Sequence, residues 1–327
     1  MKTLAYMHTH IINEGLISEL RKIKKAQNED LEVILFINNT EHFIENPKKQ
    51  VVQELEFYGL KVSCLLCDEK IIKELKLPLN AYYKQNVSFG ECFWFNCDYS
   101  FYIVRHFFAD FDFYWQIQYD VFYNDRDYIS FFNLYSNNKN DLLITKFRKE
   151  SKESDWCWIN DTEWIYTRNE IYGSLWTVAR MSANLVDALY HKRIEHNEIY
   201  RQLSQEKHQW LLCELFVATE CIKMGFSADK LQNDKTSINE IDLNTTRLFD
   251  NPDKCLYHPI KGNFLKRLEF GGSEAKQREF EKLKQLEHFS GFVRFYTHKK
   301  IALLRKNTRA IRYPIKNIFK KICSIFA

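Results

Sequence analysis

Asp120 stands near the exit of a strongly β-prone run, Asp110 to Asn124, in which Phe113, Trp115, Ile117, Tyr119 and Val121 fall on one side and Gln116, Gln118 and Asp120 on the other, as a period of two requires. A carboxylate in such a strand costs several kcal/mol, on the order of a buried ion, unless it meets a cation, a donor or a ligand hydroxyl. Glu214 is a second candidate: in Trp210 to Glu220 it lies beside Leu211, Leu215 and Ala218 at helical spacing. Apolar neighbours favour the neutral acid, which suits a general base or acid near neutral pH. A buried Glu answering Arg180 is the equal alternative. A third element is Tyr257-His258-Pro259-Ile260-Lys261-Gly262, a turn that presents an imidazole and an ammonium together. Such a pair can neutralise a phosphate leaving group.

Several familiar chemistries lack their residues. The chain contains no dinucleotide-type glycine fingerprint, no Walker loop, no His-Glu-x-x-His and no Gly-x-Ser-x-Gly elbow. Cys64-x-x-Cys67 sits in an apolar strand, where its sulfurs point to different faces, a poor zinc clasp. Asp110-Phe111-Asp112 precedes its strand, at the end of a sheet opposite to the one where ligands bind.

The elements that must position these residues follow from periodicity. Leu4 to His8 reads as a strand, Asn13 to Ala26 as a helix, Glu32 to Ile37 as a strand ending in Asn38-Asn39-Thr40, Lys48 to Tyr58 as a helix stopped by Gly59, and Lys61 to Cys67 as a strand. Tyr99 to Phe108 and Asp127 to Tyr135 read as helices and Asp141 to Phe147 as a strand. This order predicts an α/β fold with a mostly parallel sheet flanked by helices. Ligands bind beyond the carboxyl ends of such strands. From Ser151 the texture changes: Trp156, Trp158, Trp164 and Trp176 crowd together, and helices are expected at 182–192, 206–224 and 273–289. The tryptophans suit a packed core.

Three parts are expected: an α/β half over 1–147, a helical half over 148–292, and a tail over 293–327. The chain of 327 residues carries +4 overall, but residues 294–327 hold ten Lys or Arg and no acid, leaving −6 on the rest. With its interleaved isoleucines, the tail reads as a basic amphipathic element for an anionic membrane surface rather than for nucleic acid, since no RNA or DNA module is recognisable. Nine scattered cysteines favour reduced thiols. The N-terminus lacks a signal peptide's apolar core, so the expected location is cytoplasmic, peripheral on the inner face of the membrane.

Taken in order, the strand-helix-strand half, Trp115-Gln-Ile-Gln118-Tyr119-Asp120-Val121, Val178-Ala-Arg180-Met-Ser182, the Glu214 helix and His258-Pro259-x-Lys261 resemble the GT-A glycosyltransferases over residues 1–265. The nearest flavour is the core-2/I-branching-like branch and its bacterial relatives, whose strand reads Trp-x-x-Glu-Tyr-Asp-Val; here Gln118 replaces the acid. The resemblance implies a GT-A-like sheet with a helical acceptor subdomain, and sugar transfer from a nucleotide-diphosphate donor to a glycan or lipid-linked hydroxyl. It implies Glu214 as base; His8, Asn38, Gln118, Asp120, His258 and Lys261 toward the donor; and Trp156, Trp158, Trp164 and Arg180 toward the acceptor. No metal is expected, with His258 and Lys261 taking the diphosphate charge; Mn²⁺ or Mg²⁺ at Asp120 is the alternative. A non-catalytic GT-A-like binding or scaffolding subunit is the rival reading, on the strength of Gln118.

Overall fold

The computed structural model describes residues 1–41, 44–46, 50–81, 84–150, 159, 162–203, 207–232, 234–236 and 254–258. The expected tail, the helix over 273–289, Trp156, Trp158 and Lys261 lie outside them. Met1–Glu269 is one compact unit.

The chain opens with β1 (Thr3–Thr9), α1 (Glu14–Lys24) and β2 (Leu31–Asn38), then a hairpin of β3 (Val52–Phe57) and β4 (Leu60–Cys67). Short elements follow: α2 (Glu69–Glu74), β5 (Asn80–Ala81), β6 (Lys84–Gln85), α3 (Phe89–Phe95) and α4 (Tyr99–Phe107). Next come β7 (Phe113–Gln118), β8 (Phe122–Tyr123), α5 (Ile129–Tyr135), β9 (Leu142–Lys149) and β10 (Tyr172–Ser182). The described residues end with α6 (Ala183–Tyr200), α7 (Cys213–Lys223), β11 (Ala228–Lys230), β12 (Asp234–Thr236) and β13 (Leu256–His258).

Eight strands form one sheet in the order β11-β9-β10-β7-β1-β2-β4-β3. Only β3 and β10 run against the others, so the sheet is mostly parallel, with helices on both faces. Alternation along each strand feeds two cores. Tyr6, Phe36, Leu65 and Tyr114 pack with α4, α6 and α7 residues on one face, while Met7, Leu35, Leu66 and Trp115 pack with α1 and α5 residues on the other. Cys64 and Cys67 accordingly fall into different cores.

Two expectations change. The segment read as a helix over 48–58 contains β3, whose Glu54 and Glu56 are exposed while Leu55 and Phe57 turn inward. Apolar residues at 51, 55 and 58 mimic helical spacing, but Tyr58 and Gly59 both have positive φ, which makes a two-residue type I′ hairpin turn that forces period two. Gly59 is therefore a hairpin residue and not a helix stop. The exposed glutamates blunt the sheet edge that β3 forms. In the region expected to be helical, β10 is an eleven-residue strand inside the sheet, and α7 begins only at Cys213 after an extended approach. Ser182 does open a helix: its hydroxyl accepts from Leu185 N at 3.2 Å as the N-cap of α6.

Candidate functional site at the carboxyl ends of β1 and β7

From β1 the chain steps to β2 and β4 on one side, then returns to β7 on the other side of β1. The gap beyond the carboxyl ends of β1 and β7 is thus the switch point where such sheets bind ligands. His8 and Gln118 pair in register across it. α3 crosses these strand ends in turn. A Cβ on Gly90 would stand 3.9 Å from Thr40 Oγ1, past the end of β2. The Phe93 ring lies 5.7 Å from that of His8. Gln118 Nε2 reaches Cys97 Sγ at 3.7 Å.

Asp120 leaves β7 through a tight turn, with Val121 N donating to Gln118 O at 3.1 Å. The turn is held from below by Glu19 of α1, whose buried carboxylate accepts from Tyr123 N, Tyr128 OH and Lys22 Nζ. Antiparallel pairing of β13 with β8 sets Tyr257 opposite Phe122. That register delivers the next residue, His258, to Asp120, with Nε2 3.3 Å from Oδ1. Asp120 is 8% exposed, and among the described residues its Oδ1 has no hydrogen-bond partner. A carboxylate oxygen without a hydrogen bond, facing an imidazole nitrogen, offers with it two ligands for a divalent cation. Among the described residues, no group of three or more His, Cys, Asp or Glu gathers to complete such a site.

Glu214 lies in the first turn of α7, half-buried. Burial pushes its carboxyl up to about 7, partly offset by the Trp176 amide and by His258. The Trp176 amide is available because β10 is irregular there: its register against β9 shifts between Leu175 and Ala179. Trp176 N, released from the ladder, donates to Glu214 Oε1 at 3.2 Å. Ser174 Oγ donates to the Glu214 carbonyl at 2.9 Å, fixing the start of the helix. Glu214, His258 and Asp120 therefore share one neighbourhood, next to His8 and Gln118.

Other expected residues are placed elsewhere. Asn38 ends β2 near this edge, but its Oδ1 accepts from Thr40 N and Thr40 Oγ1. Arg180 does not answer Glu214 and does not face a cleft. It is 1% exposed, its guanidinium donates to the Tyr135, Asn138 and Asn140 carbonyls, and burial lowers its pKa to about 10. Trp164 donates Nε1 to Gln209 O at 3.1 Å and packs on Tyr200, inside the helical layer. Asp112, of the segment Asp110-Phe111-Asp112, accepts from Lys2 N at the amino end of β7.

Three residues were missed. Gln116 and Trp176 are joined under the site by a bond from Trp176 Nε1 to Gln116 Oε1 of 2.9 Å, and only the folded register shows that they meet. Trp94 is 75% exposed, one helical turn beyond Gly90 on the helix that crosses the strand ends. Its setting in Phe93-Trp94-Phe95 makes it look like core.

No family model matches the chain, and no curated protein sequence matches it. Among solved structures it is similar to galactosyltransferase LgtC in complex with donor and acceptor sugar analogues, at 12% identity over 81% of this chain and 94% of that one, with a TM-score of 0.44. It is also similar to an active-site mutant of LgtC, at 10% identity over 82% of this chain and 95% of that one, TM-score 0.44. Mouse xyloside xylosyltransferase 1 in its apo form is similar at 10% identity over 79% and 96%, TM-score 0.40. None of these three is a core-2/I-branching enzyme.

Proposed function

We propose that this protein is a GT-A-type glycosyltransferase that moves a sugar from a nucleotide diphosphate to a hydroxyl of a glycan or lipid-linked acceptor, in the building of a surface polysaccharide. The observation that supports this best is the meeting of Glu214, poised at about 7, with the Asp120–His258 pair at the switch point. Glu214 takes the acceptor proton as the hydroxyl oxygen bonds to the anomeric carbon. The bond from that carbon to the diphosphate oxygen breaks, and the diphosphate leaves with the electron pair. His258 meets its charge. The buried Asp120 Oδ1, which faces the His258 imidazole at 3.3 Å without a hydrogen bond, favours a Mn²⁺ or Mg²⁺ ion held at that carboxylate and the facing imidazole, a departure from the metal-free expectation. Such an ion supplies charge neutralisation to the leaving group.

Thermal unfolding of the full chain with UDP, GDP and their sugars tests this reading. A nucleoside diphosphate should raise Tm, more so with Mn²⁺, and Asp120→Asn should remove the Mn²⁺-dependent part. Stabilisation by no nucleotide would sink the proposal, while an equal shift without the ion would return the charge to His258 and Lys261. The rival reading, a binding or scaffolding subunit that retains the nucleotide but not the chemistry, rests on the neutral Gln118. It predicts nucleotide binding with neither donor hydrolysis nor transfer.

Trp94 is proposed to stack on the acceptor's sugar face. Trp94→Ala should then lower transfer to a saccharide by about tenfold, the equivalent of ~1.4 kcal/mol of lost stacking, and leave hydrolysis of the nucleotide sugar by water unchanged. Equal loss of both activities would place Trp94 with the donor instead.

Residues 294–327 are proposed to hold the enzyme on the cytoplasmic side at an anionic surface. Among the described residues no helix is long and apolar enough to cross a membrane. Flotation with phosphatidylserine vesicles should carry the full chain and leave behind a chain ending at Gly291; equal flotation of both would remove the tail from this role.

A further inference from the structure

The hydrogen bonds under the site run in one direction, and that direction fixes a tautomer. An indole N–H only donates, so Gln116 Oε1, 2.9 Å from Trp176 Nε1, is the accepting atom. The same amide therefore turns its NH₂ toward β1, where Nε2 stands 3.1 Å from His8 Nδ1. An amide nitrogen offers no acceptor, so Nδ1 accepts and the imidazole proton sits on Nε2. Gln116 is 1% and Trp176 4% exposed, so water does not compete for these bonds. Burial, with a smaller contribution from His10, pulls the His8 pKa down to about 3, which leaves the ring neutral at any working pH. His8 faces Gln118 across the switch point, and among the described residues no hydrogen bond engages its Nε2.

We infer that Gln116 and Trp176 are positioning residues that hold His8 as a neutral Nε2–H donor to an acceptor atom of the bound nucleotide. A neutral donor selects by the position of an acceptor atom, whereas an imidazolium attracts any phosphate. Trp176 serves both sides of the site, since its backbone N–H holds Glu214 and its indole holds Gln116. The irregularity in β10 is what allows one residue to do both. The role for His8 rests on the nucleotide-sugar reading; the tautomer does not.

The test is a long-range ¹H–¹⁵N correlation of the full chain labelled at histidine, from about pH 5.5 to 8.5, the range in which an ordinary histidine titrates. It is recorded alone, with UDP and with inorganic pyrophosphate. His8 should show the Nε2–H pattern throughout and move on addition of UDP. Movement with pyrophosphate as well assigns the accepting atom to the phosphates, and movement with UDP alone assigns it to the nucleoside. Gln116→Leu should mix the two tautomers and weaken UDP binding about tenfold, the value of one lost hydrogen bond. Gln116→Glu is the second variant, should the first fail to fold. Its carboxylate accepts from the indole and demands a proton from His8, so it should move that proton to Nδ1 or make His8 titrate.

An Nδ1–H or titrating His8 in the unaltered chain, or an unchanged tautomer in Gln116→Glu once its carboxyl is ionised, would overturn the assignment. UDP that raises Tm and leaves His8 unmoved would overturn the ligand role alone. Binding of neither probe would remove the nucleotide-sugar reading and the ligand role of His8 with it.

Discussion

Replacing Glu214 by Gln should lower kcat by ~10²–10⁴-fold, the usual contribution of a positioned base, while nucleotide binding stays within about twofold. The amide keeps the acceptor oxygen for Trp176 N at 3.2 Å, so the helix start and the bulge of β10 remain in place. The pH profile separates this from structural damage. Glu214 acts as a base only when ionised, so kcat/KM should rise with pH and level off above about 7, and that limb should vanish in the variant. Stability should move the other way. The folded carboxyl binds its proton up to about 7 and the unfolded one only to ~4.3. Between these values the native state holds more protons, and stability falls as pH rises. Glu214→Gln should therefore gain on the unaltered chain across that window and keep a constant margin above it. A variant that loses activity but keeps the pH limb would remove Glu214 from the role of base.

The second large effect is on stability. Arg193 and Asp98 form a fully buried ion pair: Nε and Nη2 donate to the two carboxylate oxygens at 2.8 and 2.9 Å. Tyr102 OH donates to the same carboxylate at 2.6 Å, Arg193 Nη1 donates to Leu211 O at 2.6 Å, and the guanidinium lies 3.8 Å over the Phe216 ring. One side chain thus joins the start of α4, the middle of α6 and the approach to α7. Arg193→Met should destabilise the chain by ~3–5 kcal/mol, because it strands a carboxylate without water. Adding Asp98→Asn should recover part of that loss by removing the stranded charge. Urea unfolding of the single and double variants measures both, and a loss under about 1 kcal/mol for Arg193→Met would show that water reaches Asp98. Glu214, in the first turn of α7, follows Leu211 by three residues, so a mild variant such as Arg193→Lys should cost activity before it costs fold.

What the sequence made legible depended on how local the cause was. β1, α1, β2, β4, α4 and β7 all carry their own periodicity, and the Asn13 cap of α1 is written in the chain. β3 was misread because its apolar positions satisfy a helix as well as an edge strand until the turn at Tyr58–Gly59 decides. β10 was missed because an antiparallel insertion buried on both faces alternates weakly; its pattern is one intermediate residue followed by ten buried ones. The placement of Glu214, Asp120 and His258 in one neighbourhood could be anticipated from their settings: an acid on an apolar stripe, an acid leaving a core strand, and an imidazole in a late segment that reads as a turn and folds as the end of β13. Gln116 and Trp176 could not be found this way. Their bond joins β7 to a bulge in β10, and nothing in either segment announces the other. Arg180 is the converse case: the sequence offers Glu214 as its partner, and only the folded chain shows the carbonyls that hold it.

The pairing of β8 with β13 sets an order in time. Every strand of the eight-stranded sheet has been synthesised by Lys230, and so have Asp120, Gln118 and Glu214. The imidazole that meets Asp120 arrives only with the last three-residue strand. A nascent or prematurely terminated chain that stops before Cys255 would carry every strand of that sheet and Glu214, yet lack the imidazole that Asp120 meets. The Asp120–His258 pair is therefore completed late, by a short segment that follows the whole sheet in sequence.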